Sequence, residues 1–79
     1  MMKLRLRRQK GMGGKGAWVR NERTGEFMRY ARILSQNNSG NMTVEYDLPD
    51  GTYTYQENWY GQIRRETFTV PALEANEQE

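Results

Sequence analysis

The 79-residue sequence contains no cysteine and no histidine. These absences exclude disulfide staples, zinc sites built on thiolate or imidazole ligands, and nucleophile–histidine pairs. Apolar residues make up 35% of the chain, below the roughly 45–50% of an average soluble domain, so any core is thin. A chain of this size buries only about 60% of the surface its unfolded form exposes. No apolar run approaches the roughly 18–20 residues that cross a bilayer, and no membrane partner is expected. With no catalytic constellation and no cofactor implied, the expected job is binding rather than catalysis.

Acidic residues are missing from the first twenty positions, which carry Lys3, Arg5, Arg7, Arg8, Lys10, Lys15 and Arg20. The rest of the chain holds five basic and ten acidic residues, so a net charge of +2 conceals a strong polarity. Such asymmetry marks an interaction arm plus a solvating tail, here the acidic stretch 72–79 with Glu74, Glu77 and Glu79. The plainer reading is that charged termini keep a small protein soluble. The basic start shares its Arg-rich, acid-poor character with organellar presequences. However, Gly11, Gly13, Gly14 and Gly16 interrupt any amphipathic helix, and no serine precedes Ser35. No apolar stretch follows the charged start, as a secretory signal requires. A cytoplasmic, intracellular location is the expectation, and the lack of cysteine agrees with it.

No window shows a sustained hydrophobic period of 3.6, and the clear alternations have a period of two. Leu4 and Leu6 alternate with Lys3, Arg5 and Arg7, which predicts a short strand or an arm that becomes one on a partner. The glycine-rich joint 11–16 follows, and the folded body is expected to begin near Ala17. Short strands are predicted over 17–20, over 27–34 with a bulge or bend near Arg29 to Arg32, over 42–48, over 52–56 and over 66–70. In 42–48, Met42, Val44, Tyr46 and Leu48 share one face, and Thr43, Glu45 and Asp47 the other. Pro49-Asp50-Gly51 supplies a turn after which the next strand is expected to return antiparallel. Trp59-Tyr60-Gly61 supplies another turn. Disorder is expected beyond Ala72. Five short strands in about 55 residues, one of them bent, predict an all-β fold closed into a small barrel, which removes exposed sheet edges.

Ala31-Arg32-Ile33-Leu34, Val44-Glu45-Tyr46-Asp47, Asp50-Gly51-Thr52 and Ile63-Arg64 together resemble the middle of a Tudor- or Agenet-type domain, a branch of the SH3-like barrels. The resemblance runs from Tyr30 to Arg64. It implies a five-stranded SH3-like (Tudor-like) barrel over 17–71, with residues 1–16 as a basic arm or extra strand. It also implies the aromatic cage with which such domains often read methylated Lys or Arg, through cation–π contact. Trp18, Tyr46, Tyr53, Tyr55, Trp59 and Tyr60 are the candidates. A thin core needs most of them for packing.

Glu45 and Asp47 read as the solvated face of a strand, because no third ligand or nucleophile accompanies them. The stretch Gly11-Met12-Gly13-Gly14-Lys15-Gly16 lacks the Gly-Lys-Ser/Thr ending and following helix of a phosphate loop. What remains is a cationic surface for phosphates: Lys3, Arg5, Arg7, Arg8, Lys10, Lys15 and Arg20 on the arm, with Arg64 and Arg65 beside a Trp59–Tyr60 stacking platform. This predicts a nucleic-acid-binding or ribonucleoprotein-associated module, for RNA or DNA. The same charges suit an acidic protein surface. The alternative is therefore a small interaction subunit or inhibitor, of the compact kind phages encode, that adds its Leu4/Leu6 strand to a larger assembly or to its own copy.

Overall fold

A computed structural model describes residues 1–71. It contains six strands: β1 (Met2–Arg8), β2 (Trp18–Asn21), β3 (Arg32–Gln36), β4 (Met42–Leu48), β5 (Gly51–Trp59) and β6 (Gln62–Val70). They form two antiparallel three-stranded sheets, ordered β1-β4-β3 and β2-β5-β6. The acidic tail expected over 72–79 lies outside the described residues.

The alternation of Leu4 and Leu6 with cations makes β1 a strand of the first sheet rather than a detached arm. It pairs with β4 in unbroken register from Met2 opposite Leu48 to Arg8 opposite Met42. Leu6 is fully buried in the core and Leu4 packs against it. The ordered fold thus begins fifteen residues before the predicted Ala17, at Met2.

The closed five-stranded barrel and the Tudor-like resemblance do not hold. β4 is flanked by β1 and β3, and β5 by β2 and β6, so both central strands have their backbone groups engaged on each side. No hydrogen-bonding edge is left for a ladder between β4 and β5. The Pro49–Asp50 turn therefore carries the chain from the centre of one sheet to the centre of the other, instead of closing a hairpin. The Val44–Asp47 and Asp50–Thr52 segments, read as one hairpin, belong to different sheets. β1 occupies the side of β4 that the barrel reading gave to β5. Both sheets stay open, with β1, β3, β2 and β6 as edges.

The sheets share one core. Leu6, Val44, Tyr46 and Leu48 enter it from the first sheet, and Val19, Tyr53, Tyr55 and Val70 from the second, with Ala17 beside them. Phe68 adds its ring against Tyr53 and Tyr55, at centroid distances of 5.9 and 6.0 Å. Each fully buried aliphatic side chain here is worth about 1.5–3 kcal/mol of transfer free energy. The Tyr53 hydroxyl, which would otherwise be a buried orphan, donates to the Pro49 carbonyl at 2.8 Å. Facing Thr pairs, Thr52–Thr69 and Thr54–Thr67, line the outer side of the β5–β6 ladder.

Other elements differ at their bounds. The predicted strand 27–34 is instead an irregular crossing in which Phe27 bridges Arg20, followed by β3 with its irregularity between Ile33 and Ser35. The turn at Tyr60-Gly61 is present, with φ of 50° and 87°, but β6 starts directly after it at Gln62.

Candidate nucleic-acid interface

Seven of the nine cations singled out in the sequence fall into three groups. Lys3 and Arg5 lie on the outer face of the first sheet, where strand pairing sets Arg5 and Arg32 on either side of Glu45. Arg5 Nε donates to Glu45 at 2.9 Å, and Arg32 pairs with both Glu45 and Asp47. Lys3 Nζ reaches Asp47 at 3.1 Å. Covered in this way, Glu45 is only 4% exposed. The solvated carboxylate face expected of 42–48 is thus a closed ion-pair lattice. Hydrogen bonds from Arg32, then from Lys3, hold the Asp47 carboxyl down to about 2. Arg5, then Arg32, lowers that of Glu45.

The second group surrounds Glu57. Its carboxylate accepts the Arg7 backbone N–H at 2.8 Å and two guanidinium hydrogen bonds at 3.1 and 3.2 Å, with Arg64 at 3.8 Å. Burial pushes the Glu57 carboxyl up, but the bonds from Arg7 outweigh it and hold the group below its ordinary value. The Arg7 guanidinium lies 4.7 Å from the Trp59 ring centre, and Trp59 meets Tyr60 edge-on at 4.9 Å. Tyr60 is further tied by the Asn41 amide donating to its hydroxyl and by its own N–H donating to Gln9. The platform predicted from Trp59 and Tyr60 beside Arg64 and Arg65 is therefore divided. Arg64 shares the Glu57 side, while Arg65, one residue on, faces the other side of β6.

The third group lies on the outer face of the second sheet. Strand pairing sets Trp18 opposite Gln56, Arg20 opposite Thr54 and Arg65 opposite Gln56. Gln56 and Asn58, both buried, donate their amides to the backbone of the glycine-rich loop. Gln56 Nε2 reaches the Gly16 carbonyl at 2.9 Å, and Asn58 Nδ2 reaches the Lys15 carbonyl at 2.7 Å. These bonds fasten the loop to the sheet and set Lys15 beside Trp18. The guanidinium carbons of Arg20 and Arg65 stand 5.2 and 5.4 Å from the Trp18 ring centre, and Phe27 meets that ring edge-on at 5.6 Å. Arg65 also donates to Gln56. Lys15, Trp18, Ile63 and Arg65 line a cleft of about 340 Å³. Arg20 shares a carboxylate, Glu22 at 3.0 Å; Lys15 and Arg65 have none at ion-pair distance among the described residues.

Two predicted cations stand apart from these groups. Arg8 donates to the Ala17 carbonyl at 2.7 Å and lies over Tyr30, while Lys10 lays its aliphatic stem against Gly40. Trp18 is the residue missing from the predicted phosphate-binding set. Its signal was the i, i+2 spacing to Arg20 on one strand, a pair that must share a face. Of the cage candidates, Tyr46, Tyr53 and Tyr55 are buried, so no cage assembles from them. Among the described residues no cluster of three or more acidic, His or Cys side chains could hold a metal ion. No helix among them is long and apolar enough to cross a membrane.

The chain matches no protein-family model, no curated protein and no solved structure.

Proposed function

We propose that the protein is a nucleic-acid-binding module whose contact surface is the outer face of the second sheet, not a mobile N-terminal arm. One observation carries the reading: two guanidinium groups stand against the Trp18 indole with Lys15 beside them. Contact with an aromatic ring holds an arginine fork in place and costs it less freedom on meeting a phosphate. Guanidinium planes and the part-exposed Trp18 indole also offer stacking area to unpaired bases, which favours single strands over duplex. The first-sheet cations are poorer candidates, since Lys3, Arg5 and Arg7 would have to leave internal carboxylates first.

Anisotropy of labelled single-stranded RNA and duplex DNA across a salt series tests this reading. Three phosphate contacts give a log–log salt slope of about −2 to −3, against about −5 to −6 for an arm of seven free cations. Lys15→Gln and Arg65→Gln together weaken binding at least tenfold, and Lys3→Gln changes it less than twofold. Absence of binding at low salt, or equal losses in the two sets, overturns the proposal.

The alternative, docking on a larger protein, has β3 in its favour. Every residue of this edge strand is exposed, and Ile33 and Leu34 are 47% and 42% exposed. Leu4 and Leu6, the residues first suggested for strand addition, are engaged with the core. Ile33→Ser leaves nucleic-acid affinity unchanged under the first reading and abolishes partner capture under the second.

A further inference from the structure

Phe27 is 56% exposed, whereas the chain's other phenylalanine, Phe68, packs against the core. The exposed ring does not sit on a loose loop. Its backbone bridges Arg20 along the side of β2 that β5 leaves free. On either side of it the Asn21 N–H donates to the Glu26 carbonyl and the Met28 N–H to the Val19 carbonyl, both at 2.8 Å. Met28 packs against the core, so the neighbouring Phe27 side chain is turned outward in this extended stretch. The Phe27 ring meets Trp18 edge-on at 5.6 Å. The Arg20 guanidinium carbon lies 6.0 Å from the centre of the Phe27 ring and 5.2 Å from that of Trp18. Phe27 thus presents a fixed, open aromatic surface with a cation beside it.

Resting on the interface proposed for the Trp18 face, we infer that Phe27 is a base-stacking residue, which receives one unpaired base while Arg20 meets an adjoining phosphate. A base inside a duplex already has both faces stacked, so the ligand is a single strand. A ring held by its backbone on both sides loses little freedom on contact. Phe27 carries no polar atom with which to read a base edge, so the contact tolerates any base. Arg20 shares its charge with Glu22 at 3.0 Å, which leaves the stronger phosphate contacts to Lys15 and Arg65. At the Phe27 end of the face, stacking therefore outweighs charge. A nucleic-acid strand brings a flat ring and an anion together at every step, which is the complement of this pairing of ring and guanidinium.

The test titrates the full chain, by anisotropy, with a labelled oligodeoxyadenylate of about ten nucleotides and with an abasic strand of equal length and charge. Phe27→Ala should weaken the oligodeoxyadenylate about tenfold, the scale of one stacked base. The salt slope should stay unchanged, because the ring carries no charge. The abasic strand should bind the variant and the wild-type protein alike, so the cycle isolates contact with the base. Two further variants separate stacking from loss of local packing. Phe27→Trp keeps a flat aromatic face and should retain full affinity, whereas Phe27→Leu keeps only apolar bulk and should bind as weakly as Phe27→Ala. Phe27→Leu protein that binds the oligodeoxyadenylate as well as wild type does, or an equal loss for the abasic strand, would overturn the role of Phe27 and leave the interface standing. Failure of wild-type protein to bind either strand at low salt would overturn both.

Discussion

Arg7 on β1 closes around Glu57 on β5 with its side chain and its own backbone N–H, three hydrogen bonds of 2.8–3.2 Å between one edge of the first sheet and the centre of the second. Glu57 is buried, and Arg7 remains half exposed. The asymmetry decides what each substitution does. Glu57→Ala frees a guanidinium that rehydrates but orphans the Arg7 N–H, a loss of about 2 kcal/mol. Arg7→Met strands a buried carboxylate with one donor left, and burial then pushes the Glu57 carboxyl above its ordinary value. Urea unfolding at pH 7 and pH 5 checks both, and the Arg7→Met protein should regain part of its lost stability at the lower pH.

The wild-type protein has the opposite acid response. Asp47, Glu45 and Glu57 all lose protons more readily in the fold than their ordinary values of 3.8, 4.5 and 4.5. Groups lowered by folding stabilise it fully above their unfolded values. That contribution declines as pH drops below about 4.5 and is gone once pH falls through the folded values, about 2 for Asp47. Thermal unfolding followed by circular dichroism should show a flat melting temperature from pH 7 to pH 5 and a steep fall between pH 4 and pH 2. Asp47→Asn should soften the lower end of that fall.

Integration of β1 into the core predicts that Leu6→Ala costs about 3 kcal/mol, within the usual range for a buried leucine. Leu4→Ala should cost less, because Leu4 packs at the core's margin. Removal of residues 1–16 should leave an unfolded chain, which a one-dimensional proton spectrum would show at once. A dispersed spectrum from that truncation would restore the independent body expected from the sequence.

Gly40 and Gly61 both have φ near +90°, where a side chain strains the backbone. A Cβ at Gly61 meets open space, whereas one at Gly40 would stand 2.6 Å from Lys10 Cδ. Gly61→Ala should therefore cost about 1 kcal/mol and Gly40→Ala measurably more. Lys10→Ala should rescue the difference and no more, as equilibrium unfolding of the four proteins would reveal.

The strands were legible where one face meets the core and the other meets cations or water. The alternation of Met42, Val44, Tyr46 and Leu48, and that of Leu4 and Leu6, marked β4 and β1 clearly. Partner choice was not legible. Pro49-Asp50-Gly51 is the same turn whether it joins strands of one sheet or of two, and what separates the cases is whether β1 takes the edge of β4. The strand predicted over 52–56 runs on to Trp59, through Glu57 and Asn58. Both are buried, one under Arg7 and the other under the glycine-rich loop. The proposed binding surface was half legible. Its charges stood in the sequence, but which cations find internal carboxylates depends on cross-strand register. Arg5 falls opposite Glu45, and Arg65 falls opposite Gln56.

The two tryptophans stand in different charge clusters, Trp18 with Arg20 and Arg65 and Trp59 with Arg7, so each reports on one cluster. The most direct test of the proposed interface is a fluorescence titration of Trp59→Phe protein with single-stranded RNA, Trp18 being the remaining indole. Saturable quenching of Trp18 whose midpoint weakens with salt, and which is absent from Trp18→Phe protein, is the predicted result. Quenching confined to Trp59, or none in either protein at low salt, would contradict the account.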